Sequence, residues 1–239
     1  MPRAPAEIIT RSVPLLEKAA TDVEGIPDFA AKLREARAIS FLFRDKAGLI
    51  FGSEDGGGII LARIKNEDGS LGGWTAPSFM HEKGLTVGLQ LGFASLGTVM
   101  LYLNDAAFHA VSRTNKTFDL GVAADGFGAT EHEKESRGTK VRENDYILNT
   151  DLDKSAERYH ANSDREYASV TFTEEGKIIG AAFNEMGIRV DLETHEKLYG
   201  KPYRHHHVLE EGAGKEWAAA NAGVQKLVKK LNAIIANGP

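Results

Sequence analysis

His205, His206 and His207 stand in a row near the end of the chain. Imidazole is a common ligand for transition metals, so two of these rings with one further donor would hold such an ion. On a strand only His205 and His207 share a face, and on a helix no two of the three stand four apart. A solvated polar turn is the plainer reading. His-Glu-Lys recurs at His81, His132 and His195, but no second histidine follows four residues after the first, so the zinc-protease pattern fails each time. Asn149, Asp151, Asp153 and Ser155 alternate as calcium-loop ligands do. Lys154 stands where the sharp-turn glycine belongs and His160 where the bidentate glutamate belongs, which leaves a surface acidic loop. Gly52-Ser53-Glu54-Asp55-Gly56 has the wrong spacing for a nucleophile elbow. Gly56-Gly57-Gly58 lacks the Lys-Ser/Thr of a phosphate loop and is expected to be a turn. Asn115-Lys116-Thr117 is a formal glycosylation acceptor. No catalytic residue, metal-ligand set or cofactor is assigned. An enzyme acting on a small molecule in a sheet-lined cavity stays open as an alternative, with His81, His109 and the acidic stretch 131–166 as its candidates.

The composition is that of an ordinary globular protein: 239 residues, 42% hydrophobic and 26% charged. The absence of cysteine excludes disulfides, thiolate metal sites and cysteine nucleophiles. No run approaches 18 apolar residues and the first residues lack a secretory pattern, so a cytoplasmic protein is expected, with at most peripheral membrane association. The net charge is −5, and residues 119–199 carry 10 basic against 18 acidic side chains, while the two ends are mildly basic. Duplex nucleic acid demands a basic excess, so it is excluded as a partner; an anion site fits the ends better than the middle.

The elements follow from apolar spacing. Leu15, Leu16, Ala19, Ala20 and Val23 recur at helical intervals, with Ser12 as cap, Pro14 in the first turn and Gly25 as stop. Pro27 opens a short helix bearing Phe29, Ala30 and Leu33. Residues 38–103 read as five or six strands joined by glycine turns, and Gly84, Gly88, Gly92 and Gly97 suggest bends in a curved sheet. Asn104 caps a short helix over 105–112. Strand character returns at 117–124, 167–172 and 177–190, the last two joined by a turn at Glu174-Glu175-Gly176. Residues 131–166 form a charged excursion. Residues 191–199 form a helix stopped by Gly200. Trp217, Ala220, Val224, Leu227, Val228, Leu231, Ile234 and Ile235 make one stripe of a tail helix over 215–236. The fold class expected is α+β: a curved, mostly antiparallel, Gly-rich sheet, open or barrel-like, with flanking helices.

Several segments carry a family resemblance. IPDFAAKLREARAISFLFRDKAGLIFG (26–52) is similar to the opening of the SYLF family, and GGGIILAR (56–63) to its Gly-rich run ending in Arg. GGWTAPSFMHEKGLTVGLQLG (72–92) resembles its Trp-Ser-Ala-Pro segment and the strand after it. FDLGVAADGFGA (118–129) and KIIGAAFNEMGIRVDLETHEKLYG (177–200) resemble its later strands and closing Leu-Tyr-Gly. The family's Pro-Val-Gly-Arg is absent, Val170-Thr171-Phe172-Thr173 replaces its Ser-Tyr-Ser, and the tail helix is additional. The resemblance divides the chain into an N-terminal helical segment (1–25), a SYLF-like domain (26–203) and a helical tail (204–239). It implies a non-enzymatic module that binds acidic, phosphoinositide-like phospholipid, with actin or cytoskeletal adaptor activity as a further implication.

A phosphorylated headgroup needs several Lys or Arg and an apolar group to enter the bilayer. Within the matched region Arg44, Lys46, Arg63 and Lys65 lie around two turns. Ahead of it, Arg11 and Lys18 flank Ile8, Ile9, Leu15 and Leu16, which either face a bilayer or pack on the sheet. These six basic residues are the candidate lipid contacts. The tail helix, with Lys226, Lys229 and Lys230 beside its stripe, either packs on the body or forms the seam of a homo-oligomer.

Overall fold

The computed structural model describes residues 3–48, 51–113, 118–125 and 165–238; within these, the side chains of Lys46 and of residues 82–92 and 176–188 are among those not described. The excursion 131–166 lies outside the described residues apart from its last two. Among the described residues no helix is long and apolar enough to cross a membrane.

The chain opens with α1 (Pro5–Thr21) and α2 (Phe29–Glu35). α1 begins earlier than its apolar spacing suggests, with Pro5 in its first turn, so Pro14 lies in the helix interior and Ser12 is no cap; the Ser12 hydroxyl donates to the Ile8 carbonyl at 2.8 Å. An interior proline removes one backbone bond. Here Ile8, Ile9, Val13, Leu15, Leu16 and Ala19 are all buried beneath the helix, and each large apolar side chain so buried contributes about 1.5–3 kcal/mol. That packing outweighs the lost bond. It also withdraws Ile8, Ile9, Leu15 and Leu16 from any bilayer.

Among the described residues six strands follow, interleaved with helices: β1 (Ala38–Gly48), β2 (Phe51–Lys65), β3 (Leu71–Trp74), β4 (Ser78–Tyr102), β5 (Phe118–Asp125) and β6 (Tyr167–Val190). They form one antiparallel sheet. β1 and β2 are a hairpin, from Ala38 opposite Ala62 to Gly48 opposite Gly52. β4 lies antiparallel to β2 through Ser78 to Val87 and antiparallel to β1 through Gly92 to Tyr102. Since β1 and β2 oppose one another, β4 must reverse its own direction across residues 88–91. β6 follows β4 over its whole length, from Met80 opposite Val190 to Tyr102 opposite Tyr167, and reverses with it. The result is a set of nested hairpins, curved but not closed into a barrel.

Two expected turns lie inside strands. Gly56-Gly57-Gly58 is the middle of β2, and at Gly56 and Gly58 β1 passes too close for a side chain. A Cβ on Gly56 would stand 2.5 Å from the Phe43 carbonyl oxygen, and one on Gly58 would collide with that of Phe41. Glu174-Glu175-Gly176 lies within β6, where Leu96 pairs with Thr173 and Ser95 with Glu175; Glu174 is the extra residue of a bulge.

Alternation along the strands makes two cores. Ile39, Phe41, Phe43, Ile59, Leu61, Phe79 and Val99 meet α1, α2 and the C-terminal helices. Ala38, Leu42, Ile60, Ala62, Met80, Met100 and Tyr102 meet Phe108 and Val111 of α3 (Asp105–Ser112), whose cap Asn104 accepts from the Ala107 amide at 2.8 Å. After β6 come α4 (Leu192–Tyr199), capped by Asp191 and ended by Gly200 at φ 82°, α5 (His205–Leu209), α6 (Lys215–Ala220) and α7 (Ala222–Asn237). The single tail helix expected is thus two. Asn221 takes an extended backbone between them and caps α7 by accepting from the Val224 amide at 3.0 Å.

Candidate functional site

Of the six basic residues singled out from sequence, five have described side chains. Arg44, on β1, is buried. Lys46 follows on the same strand, and its side chain is outside the described residues. Arg11 pairs with Glu7 and Glu174 and lies 4.6 Å from the centre of the Phe43 ring. Lys18 is exposed and lies over Phe172 at 4.4 Å. Arg63 is a fastener of the β2–β3 hairpin: its guanidinium donates to the carbonyls of Leu71 and Gly72, both at 2.7 Å, and covers Trp74. Burial, and secondly the nearby Arg37, lower its pKa. Lys65 reaches Asp105 at 3.1 Å. Arg37, which sequence reasoning missed, holds the other oxygen of Asp105 at 2.5 Å and donates to the Arg63 carbonyl. Burial pushes the Asp105 carboxyl up, but the hydrogen bonds from Arg37 and Lys65 outweigh it and hold it below the usual range. Glu67 and Asp68 stand in the adjoining turn. This cluster is near balance in charge and is held by its own bonds.

A cleaner basic surface lies on α7. Val224, Leu227 and Leu231 are buried against the body, chiefly α1, so the apolar stripe of the tail packs on the domain. Lys226, Lys229 and Lys230 stand at i, i+3 and i+4 and are therefore neighbours on the helix. Residues 217–239 contain no Asp or Glu. Glu17 of α1 binds Lys230 at 2.6 Å, and that hydrogen bond and charge lower the Glu17 pKa. Lys226 and Lys229 are exposed. The far end of the helix is anchored by Arg34 of α2, which donates to the Ile235 and Gly238 carbonyls at 3.0 and 3.2 Å. The lysines were visible in the sequence. That the body, chiefly α1, would take the apolar stripe, and so fix which face is presented, was not.

The histidines divide by burial. His195 has no exposed surface; its Nδ1–H donates to the Tyr203 carbonyl at 2.5 Å and its Nε2 accepts from the Phe79 amide at 2.8 Å. Burial lowers its pKa. His205, 3% exposed, meets the fully buried Ser78 hydroxyl through Nδ1 at 2.8 Å, and burial pushes its pKa down to about 3. The solvated polar turn expected of the three histidines is therefore not found: they open α5, which turns His205 into the core. His81 pairs through Nε2 with Asp191 at 3.0 Å. Burial would raise the Asp191 carboxyl, but hydrogen bonds from His81 and Thr194 bring it down to about 2. His109, on α3, is lowered by burial and by Arg113. The buried Ser–His contacts tie α4 and α5 to the start of β4.

An open cleft of about 700 Å³ lies where the start of α1 meets the sheet, lined by Arg3, Glu7, Arg11, Asp45, Phe93 and Glu174 among others. Within it Arg3 contacts Asp45 at 2.5 Å, Glu7 at 3.5 Å and the Ser95 hydroxyl at 3.1 Å. It contains no histidine. No family model, curated protein or solved structure matches the chain.

Proposed function

We propose that the protein is a non-enzymatic module that binds acidic phospholipid at a membrane surface through the outer face of α7. The observation that carries the reading is a 16-residue helix with no acidic residue, whose apolar side is occupied by the body of the protein, so that Lys226 and Lys229 stay exposed while Lys230 pairs with Glu17. Such a face attracts an anionic leaflet without inserting into it. The resemblance of residues 26–52, 56–63, 72–92, 118–129 and 177–200 to SYLF segments supports the same class of ligand. Actin binding rests on that resemblance alone. The non-enzymatic reading is supported by the burial of Ser78 and by the hydrogen bonds that engage both ring nitrogens of His195.

Binding of this kind is electrostatic and falls with salt, because screening at physiological ionic strength acts over about 8 Å. Co-sedimentation with vesicles of neutral phosphatidylcholine, of phosphatidylcholine with phosphatidylserine, and with a phosphoinositide at matched charge tests it. Binding to both anionic vesicles, lost at high salt, is expected; preference for the phosphoinositide at equal charge narrows the ligand to that headgroup. Equal binding to neutral vesicles, or none to any, overturns the proposal.

A further inference from the structure

We infer that His206, His207 and Glu211 form a site for a divalent transition-metal ion of the zinc class, at the end of α5 and apart from the α7 surface. One donor atom from each of the three residues lies within 4.8 Å of the others. Around a tetrahedral ion at about 2.0–2.2 Å from each ligand, donor atoms stand about 3.4 Å apart. Small side-chain rotations close that difference, and all three side chains are at least partly exposed. The two imidazole rings already stand 3.9 Å apart, centre to centre.

The surroundings define the site further. Nitrogen and carboxylate donors together suit zinc, cobalt or nickel, and not calcium or magnesium, which take oxygen. Glu210 does not join, because it is held by Arg113 at 2.8 Å and by the Ser112 hydroxyl at 2.7 Å. Three protein ligands leave the remaining position to water. His207 Nδ1 accepts the Arg204 amide at 3.1 Å. Coordination by His207 either takes that lone pair or moves the ring proton to Nδ1; in both cases the Arg204 amide turns to water, which the exposed position of Arg204 permits. Glu211 lies just past the end of α5, where its amide donates to the His206 carbonyl at 3.2 Å and holds it beside the two rings. The sequence offered His205 and His207 on a strand, and the burial of His205 replaces it with His206.

The test is titration of the full chain with Co²⁺ and Zn²⁺ separately, followed by calorimetry and, for Co²⁺, visible absorption. One ion per chain is expected, with the absorption of a mixed N/O site. His206→Gln with His207→Gln should weaken binding by more than tenfold, and Glu211→Gln by about tenfold; circular dichroism checks that both variants keep their helices. His81→Gln should bind as the parent does. Absence of binding by the parent, or parental affinity in the double histidine variant, overturns the site. Parental affinity in Glu211→Gln overturns the three-ligand assignment and leaves an adventitious histidine pair.

Discussion

Acid should loosen this fold well above the carboxylate range, and His205 gives the reason. In the unfolded chain a histidine takes its proton near pH 6.5. In the folded chain burial pushes His205 down to about 3. Between those values the unfolded state binds a proton that the folded state refuses, so stability is intact above about pH 6.5 and declines as the pH falls toward 3. The slope is about 1.4 kcal/mol per pH unit for one group, hence about 2 kcal/mol between pH 6.5 and 5. In a chain of this size that is a fall in melting temperature of about 4–8 °C. His195, lowered by burial in the same network, shifts in the same direction. Asp191, held down to about 2, contributes stability that is lost only as the pH falls below the ordinary carboxylate range, outside this interval. Thermal melts of the parent and of His205→Asn at pH 7.5 and 5.0 isolate the effect. The variant will be less stable at pH 7.5, since the site loses packing, but its decline with pH should be shallower by about 2 kcal/mol. An identical decline in the two proteins would refute the assignment of a neutral, buried His205.

Two further predictions concern single positions. Gly58→Ala places a Cβ against the Phe41 carbonyl and the Leu42 side chain and should cost about 1–3 kcal/mol, whereas Gly73→Ala meets nothing within 4 Å and should leave the urea midpoint unchanged or slightly raised. Arg63→Ala strips two carbonyls of their donor and should cost about 2 kcal/mol in the same assay, while Lys65→Ala, which breaks a half-exposed ion pair, should stay within about 0.5 kcal/mol.

The class of the fold and most of its elements were legible because they rest on short-range rules. Asn104 caps the helix that its position announces, and Gly200 ends the helix expected over 191–199. Alternation at Ile39, Phe41 and Phe43 marks one face of a strand correctly. The failures are long-range. Gly56-Gly57-Gly58 has the composition of a turn, and only the proximity of β1 explains why glycine is needed in a continuous strand. The same holds for the doubling back of β4 and β6, which depends on pairing between segments distant in sequence. Asn221 is a local signal that the apolar stripe on either side of it concealed. At the level of the site, basic residues near glycine turns suggested headgroup contacts, but a side chain's availability depends on its partners. Arg63 is engaged by backbone carbonyls, Arg11 by two glutamates, and Arg44 is buried. Lys226 and Lys229 remain exposed because α1 covers the opposite side of their helix.

The central claim is that this lysine face carries the affinity for acidic membranes. Each basic residue at an anionic surface contributes about 1 kcal/mol, so Lys226→Ala with Lys229→Ala should remove about 2 kcal/mol. The direct measurement is the partition coefficient of parent and double variant on phosphatidylserine-containing vesicles at one fixed ionic strength. The account predicts a fall of about 30-fold with the melting temperature unchanged, since both side chains are exposed on a helix whose packing lies elsewhere. Equal partitioning of the two proteins would contradict it.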